Sequence, residues 1–486
     1  MLCTALLISL LLMLQSPIDV SARHLGAPVV TKPGQAQKSR LGLGVPASSL
    51  VSVDAKAKAS TSASTDSDFR AGVGCILGGM LMHLTLGSLY CWGNFLSYCP
   101  QGLRFFDGQD QKGTPDAMLV MPLTLVSQCL TMPLGPLVVS KLGSRGAMML
   151  GAMIVSGGVF LSSFSSSLSQ FLFSYAIIFG AGVGLSYTAP MIAGWKWLPN
   201  KKGLVSGGIL TGFGVGGFFF NLIGTKIVNP DGLDPVDGKF PASVYENFPK
   251  MLRILSCIYL VGGLLGSLFV TEPTKNKSNK ASADSLPGLS VKEAIKTPQF
   301  WMMWSMVVCS ASAGLNVAAC YKQFASSAPA LTGDSFQALV GGLGALFNGV
   351  GRLFWGSLSD QIGFKKAFTG LTLIQVLLHA YYPMSGSSKF SFAAVTCLCF
   401  FFLAGNFALI PPAVQKMFGP KNGALIYGVV YSAFGVASIG SLLLGKSLQS
   451  MYGLDTVFRI LSFFSVIGAI ITSRLTPVKS LSTSSV

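Results

Sequence analysis

From about Ala71 to Ser473 the chain alternates between long apolar runs and short polar breaks. Each run holds roughly 18 to 25 residues, long enough to cross about 30 Å of hydrocarbon at about 1.5 Å per residue. Twelve such runs can be placed, at 71–97, 117–140, 147–165, 169–194, 203–226, 250–270, 299–323, 336–359, 367–383, 390–414, 423–445 and 456–473. Backbone groups in lipid must be satisfied inside their own segment, so helices are the default; a barrel would need alternating strands, a pattern absent here. The expected fold is an all-α membrane protein with twelve transmembrane helices in two six-helix halves.

The polar stretches divide the chain. Residues 1–68 stand apart as a leader expected to be disordered: residues 2–14 are a short apolar run, Val20-Ser21-Ala22 has the form of a signal-peptide cleavage site, and residues 23–65 are rich in Ser, Ala, Lys and Arg. Two readings stay open, a cytosolic tail or a two-part signal-plus-transit leader of the kind that leads into plastids bounded by several membranes. The N-terminal half then runs over 69–273, a charged cytosolic linker over 274–298, the C-terminal half over 299–475 and a tail over 476–486. Within the linker, Ser290-Val-Lys-Glu293 has the form of a capping box. The halves repeat weakly: Gly135 to Arg145 after the second run matches Gly356 to Lys366 after the eighth, about 220 residues later, and Gly203–Gly217 matches Gly423–Gly440. Parallel six-helix halves place a binding site between them, near the middle of the bilayer.

Composition agrees with the pattern. Half of the residues are hydrophobic (51%) and a tenth charged, with a mean hydropathy of +0.60, which is a membrane composition. The formal net charge of +17 would suit a nucleic-acid partner if it were clustered on a soluble face. Instead Lys141, Arg145, Lys196, Lys201, Lys202, Lys275, Lys277, Lys280, Lys292, Lys296, Lys365, Lys366, Lys416, Lys421 and Arg474 fall in the breaks of one side. Asp107, Asp110, Asp116, Asp231, Asp234, Asp237, Glu246 and Asp334 fall in those of the other. That is the positive-inside bias; it excludes nucleic acid and puts both ends of the core in the cytosol. Cys75, Cys91, Cys129, Cys257, Cys309, Cys320, Cys397 and Cys399 lie in apolar runs without metal-ligand spacing and read as small core residues.

Four stretches carry a resemblance: Gly180-Ala-Gly-Val-Gly-Leu-Ser-Tyr187, Lys196-Trp-Leu-Pro-Asn-Lys-Lys-Gly203, Thr297-Pro-Gln-Phe-Trp301 and Asn348-Gly-Val-Gly-Arg352-Leu-Phe-Trp355-Gly356-Ser-Leu-Ser-Asp360. In these the chain resembles the major facilitator superfamily, and within it the oxalate/formate antiporter group, which is close to the monocarboxylate transporters. The resemblance implies the major facilitator fold, rocking of the two halves, and transport of small carboxylates by exchange or with protons. It also implies that Asp360, with Gly356, Gly363, Lys365 and Lys366, forms a gating latch in which the acid meets basic groups and a helix N-terminus in one state. The first-half copy departs from the pattern, with Ser140 where the aspartate is usual. Read without the resemblance, Lys365 and Lys366 are topology signals.

Arg352 is the most informative residue. It sits near the middle of the eighth run, where a cation costs about 2.5–3.5 kcal/mol on insertion scales, so it must face a wet cavity or a partner. Its planar fork can hold a carboxylate bidentately. The alternative is a permanent pair with Asp360, about 12 Å away along a helix. Asn348, one turn earlier, lines the cavity or holds the guanidinium. Tyr90, Trp92 and Tyr187 stand where the resemblance points to aromatics, to supply hydroxyls and a wall, or else pack as core; Tyr431 adds a candidate hydrogen bond. His83, central in the first run, is a candidate proton carrier or a hydrogen-bonded structural histidine. Lys322, near the outer end of the seventh run, either snorkels or attracts anions at the mouth. Gly212-Phe-Gly-Val-Gly-Gly217 matches a dinucleotide fingerprint as a string, but it lies in an apolar run, where close helix packing explains it better.

The expected activity is therefore secondary transport of small monocarboxylates such as pyruvate, lactate or formate. Carriers of oxalate, amino acids or sugars, and a non-transporting receptor on a carrier fold, are the alternatives. Oxalate-handling relatives are expected to add a second cation on the eleventh helix; here Phe434 stands where one would be sought. No enzymatic chemistry, metal or cofactor is expected. The partners are a small carboxylate, the lipid bilayer and, as a candidate coupling ion, the proton, with the chain acting as a monomer. The location is an integral multi-pass one, in the membrane of a plastid-like organelle or the plasma membrane.

Overall fold

In the computed structural model the apolar runs are helices, and the short polar breaks are the turns between them. The structure describes residues 47–108, 115–233, 235, 239–273, 288–331 and 333–478. The chain divides into two units, Met1–Ser60 and Thr61–Val486. In the first, the described residues are helical from Ala47. The apolar start and the cleavage-site sequence lie outside the described residues, as does most of the linker.

The second unit holds twelve spans among the described residues. They are α1 (Asp66–Tyr98), α2 (116–142), α3 (144–162), α4 (Leu168–Trp197), α5 (Lys202–Val228), α6 (Ala242–Phe269), α7 (Pro298–Ser327), α8 (Asp334–Ile362), α9 (Phe364–Tyr381), α10 (Lys389–Phe418), α11 (423–452) and α12 (Leu454–Arg474). Helices α2 and α3 form one continuous helical stretch interrupted at Gly143, where φ is 72° and ψ 169°. Only glycine enters that region freely, so a single residue turns the chain back. Gly363 does the same between α8 and α9 with φ 85°. Helix α6 starts eight residues before its apolar run, because its first turns carry Glu246, Pro249 and Lys250. The expected capping box is present: Ser290 and Glu293 cap each other's backbone at the start of the short helix Val291–Ile295.

The two halves are related residue by residue at their basic ends. Arg145 donates to the carbonyls of Ser267, Leu268 and Val270 at the end of α6. Its counterpart Lys365 donates to Leu475 O at the end of α12. The acids differ. Glu272 accepts from Lys196 and from Ser144 N, tying the end of α6 to α3 and α4 inside the first half. Partial burial raises the Glu272 pKa, but the Lys196 ammonium and the Ser144 donors outweigh it and hold the carboxyl below its ordinary range.

The broadest packing in the molecule is α5 against α8, across the halves. Glycines make it possible. On one face of α5, a Cβ at Gly203 would lie 2.1 Å from Gly356 O and one at Gly207 would lie 2.3 Å from Arg352 O. On another face, one at Gly212 would meet Met80 O at 2.0 Å and one at Gly216 would meet Leu84 O at 2.2 Å. Within the fingerprint-like string, Gly212 and Gly216 thus seat α1, while Gly214, where a Cβ would lie 2.8 Å from Gly349 Cα, continues the Gly203–Gly207 face against α8.

Candidate functional site

Those glycines bring α1 and α8 to either side of Phe213 on α5. Arg352, fully buried at 0% exposure, lies with its guanidinium 5.3 Å from the Phe213 ring and 4.6 Å from that of Phe407 on α10. Its Nε donates to Asn348 Oδ1 at 3.1 Å and its Nη1 to Leu210 O at 3.3 Å. Nη2 is buried and has no hydrogen-bond partner. Among the described residues, Arg352 is the one Lys, Arg, Asp or Glu in the buried set. Asp360 does not pair with it.

Aromatic rings close around this cation. Tyr187 lies 5.7 Å from Phe213 and 5.5 Å from Tyr431, Tyr431 lies 5.0 Å from Phe434, and Phe434 stacks on Phe407 at 4.5 Å. Tyr187 closes α4 at the break before Pro190, and Tyr431 stands at the junction of the two pieces of α11, so both rings sit where the helix path is interrupted. His83 packs edge-on to Tyr187 at 5.0 Å. Its Nδ1 lies 2.9 Å from Gly79 O; since a carbonyl only accepts, Nδ1 carries the hydrogen and Nε2 keeps its lone pair. Nε2 is buried and unpartnered, and the buried hydroxyls of Tyr187 and Tyr427 face each other. Buried donors and acceptors thus surround one buried cation that has no acid beside it among the described residues.

The basic end of the same interface is closed. Asp360 accepts from Gly203 N at 2.9 Å and Leu204 N at 2.8 Å, capping the N-terminus of α5 from the opposite half. Ser140, its counterpart, is exposed and bonds only to Leu137 O of its own helix.

Residues 324–485 match the Major Facilitator Superfamily. A crystal structure of the superfamily transporter FucP in the outward conformation aligns over 83% of this chain and all of its own, with a TM-score of 0.63 at 13% identity. The fold is therefore that of this transporter structure, and the last third of the chain carries the family's sequence pattern. The chain is also 27% identical to apicoplast pyruvate carrier 1 of Toxoplasma gondii, over 79% of this chain and 85% of that one. It is 27% identical to the oxalate:formate antiporter of Oxalobacter formigenes, over 83% and 90%.

In this fold, Arg352, Asn348, Tyr187, Tyr431 and His83 come together at the interface of the halves. Asn348 holds the guanidinium, and its Nδ2 is engaged with Phe400 O, so it supports the cation and does not line open space. Tyr90 joins through Phe213, at 5.6 Å, and is partly exposed. Trp92 does not join. Its Nε1 donates to Ala117 O and its ring packs on Phe171 and Tyr175, because two residues along a helix from Tyr90 is the far side. Gly356 and Asp360 meet α5; Gly363, Lys365 and Lys366 form the turn beyond. Sequence reasoning missed Phe213, Phe407, Tyr427 and Gln128, whose Nε2 donates to Tyr431 O–H at 3.0 Å. The repeat offered a signal for two of them: Gln128 precedes Asn348, and Tyr187 precedes Phe407, by the interval that separates Gly143 from Gly363.

Proposed function

We propose that this transporter carries small singly charged carboxylates, of the pyruvate, lactate or formate kind, by alternating access of its two halves. The observation that carries the reading is Arg352: a desolvated guanidinium with no acid beside it and Nη2 left without an acceptor. An unpaired buried cation is costly, and one carboxylate neutralises it; a dianion would need a second positive charge. Phe434, stacked on Phe407, fills the place on α11 where such a charge would stand. The names of the two relatives, a pyruvate carrier and an oxalate:formate antiporter, support small carboxylates as the class. The proton enters with the substrate, taken up at His83 Nε2 or carried by the acid itself. Asp360 is the latch that holds the cytosolic side shut, and release of the α5 N-terminus opens it. The leader and the apicoplast relative together support the membrane of a plastid-like organelle as the location. The test is exchange of labelled pyruvate in proteoliposomes. Arg352→Gln is expected to abolish it and Arg352→Lys to lower it about tenfold or more, since lysine keeps the charge but loses the flat stacking and the Asn348 bond. Full activity of the Gln variant would overturn the reading.

A further inference from the structure

Gln128 on α2 and Asn348 on α8 are counterparts in the repeat, as are Met132 and Arg352, so the two halves place one carboxamide each beside the shared site. The two are not used alike. Asn348 spends both ends on the protein, accepting from Arg352 Nε and donating to Phe400 O. Gln128, at 0% exposure, spends only one: Nε2 donates to the Tyr431 hydroxyl, and Oε1 is buried with no partner. The hydroxyls of Tyr187 and Tyr427, whose rings lie 5.5 and 6.0 Å from that of Tyr431, are likewise buried and face each other, with no polar partner outside this group of tyrosines. The ring of aromatics thus has a charged pole at Arg352 and a neutral polar pole at Gln128.

We propose that Gln128 is a specificity-determining residue: with the Tyr187 and Tyr427 hydroxyls it receives an uncharged oxygen on the carbon next to the carboxylate, selecting 2-oxo and 2-hydroxy monocarboxylates over unsubstituted ones. This rests on the monocarboxylate reading above. A carboxamide presents an acceptor and a donor, and turning it over exchanges which end meets Tyr431, so it serves a keto oxygen or a hydroxyl. An alkyl chain offers neither and leaves the amide oxygen unpaired in a dry site, which is how hydrogen-bonding pockets reject analogues of equal size. Pyruvate and propionate match in size and charge and differ in this one oxygen.

The experiment is uptake of labelled pyruvate and labelled propionate into proteoliposomes by the full chain, Gln128→Leu and Tyr427→Phe. The unaltered protein is expected to prefer pyruvate about tenfold or more, with the ratio falling to within about threefold in Gln128→Leu and narrowing in Tyr427→Phe. Equal uptake of the two acids by the unaltered protein overturns the inference and leaves the monocarboxylate reading standing. A Gln128→Leu variant that loses both acids in proportion overturns it too, because Gln128 would then only tie α2 to α11. Should that variant fail to reach the membrane, the ratio in Tyr427→Phe decides in the same way. Uptake of neither acid by the unaltered protein overturns the monocarboxylate reading, and this inference with it.

Discussion

Arg352 enters the site with one edge already committed. Nε is held by Asn348, which closes the side-on approach to the guanidinium, and Nη1 has given one hydrogen to Leu210 O. On the carboxylate reading, the acid is met by Nη2, whose hydrogens have no partner. His83, with its Nε2 unpartnered beside Tyr187, is the proton-carrying candidate to test. His83→Gln is expected to flatten the response of pyruvate uptake to an imposed pH gradient while pyruvate exchange persists; a variant with unaltered gradient dependence would assign His83 to structure. Arg352 was legible in the sequence because a cation in an apolar run has few explanations. Phe213, Phe407 and Gln128 were not, because aromatics and single amides are common in such runs, and only contacts between helices show which of them meet. Trp92 was misplaced for a simpler reason: with Tyr90 two residues away on the same helix, the pair cannot share a face.

The helices themselves were readable as elements, since an apolar run of membrane-spanning length admits little else, and each expected run overlaps an observed helix. Less readable was how α5 serves two neighbours, which depends on glycines that a period of 3.6 sorts onto different faces. The latch is asymmetric. Asp360 caps α5 across the halves, whereas Ser140 leaves the equivalent position on α2 without an acid, and Glu272 works inside the first half. The α5–α8 seam therefore carries the charged closure at the basic end. Asp360→Asn weakens a helix cap at a cost of about 1 kcal/mol. Hydrogen exchange of the amides at the start of α5 is expected to quicken in that variant by several-fold; exchange at the unaltered rate would mean that the cap does not hold the seam.

At the scale of the molecule, the carrier and its leader are separate matters. The helical bundle lies in Thr61–Val486, so removing residues 1–60 is expected to leave a folded, active transporter in proteoliposomes while changing its destination in the cell. Unchanged localisation of the truncated form would sink the targeting reading. The transport function rests on the bundle, and there the charge count decides. The described core buries Arg352 and no second fixed charge, and Phe434 of α11 stacks on Phe407, which faces the guanidinium. Competition against labelled pyruvate uptake tests this most directly. Unlabelled pyruvate, lactate and formate are expected to compete and oxalate to fail at equal concentration. Oxalate that competes as well as pyruvate, or better, would contradict a one-charge site.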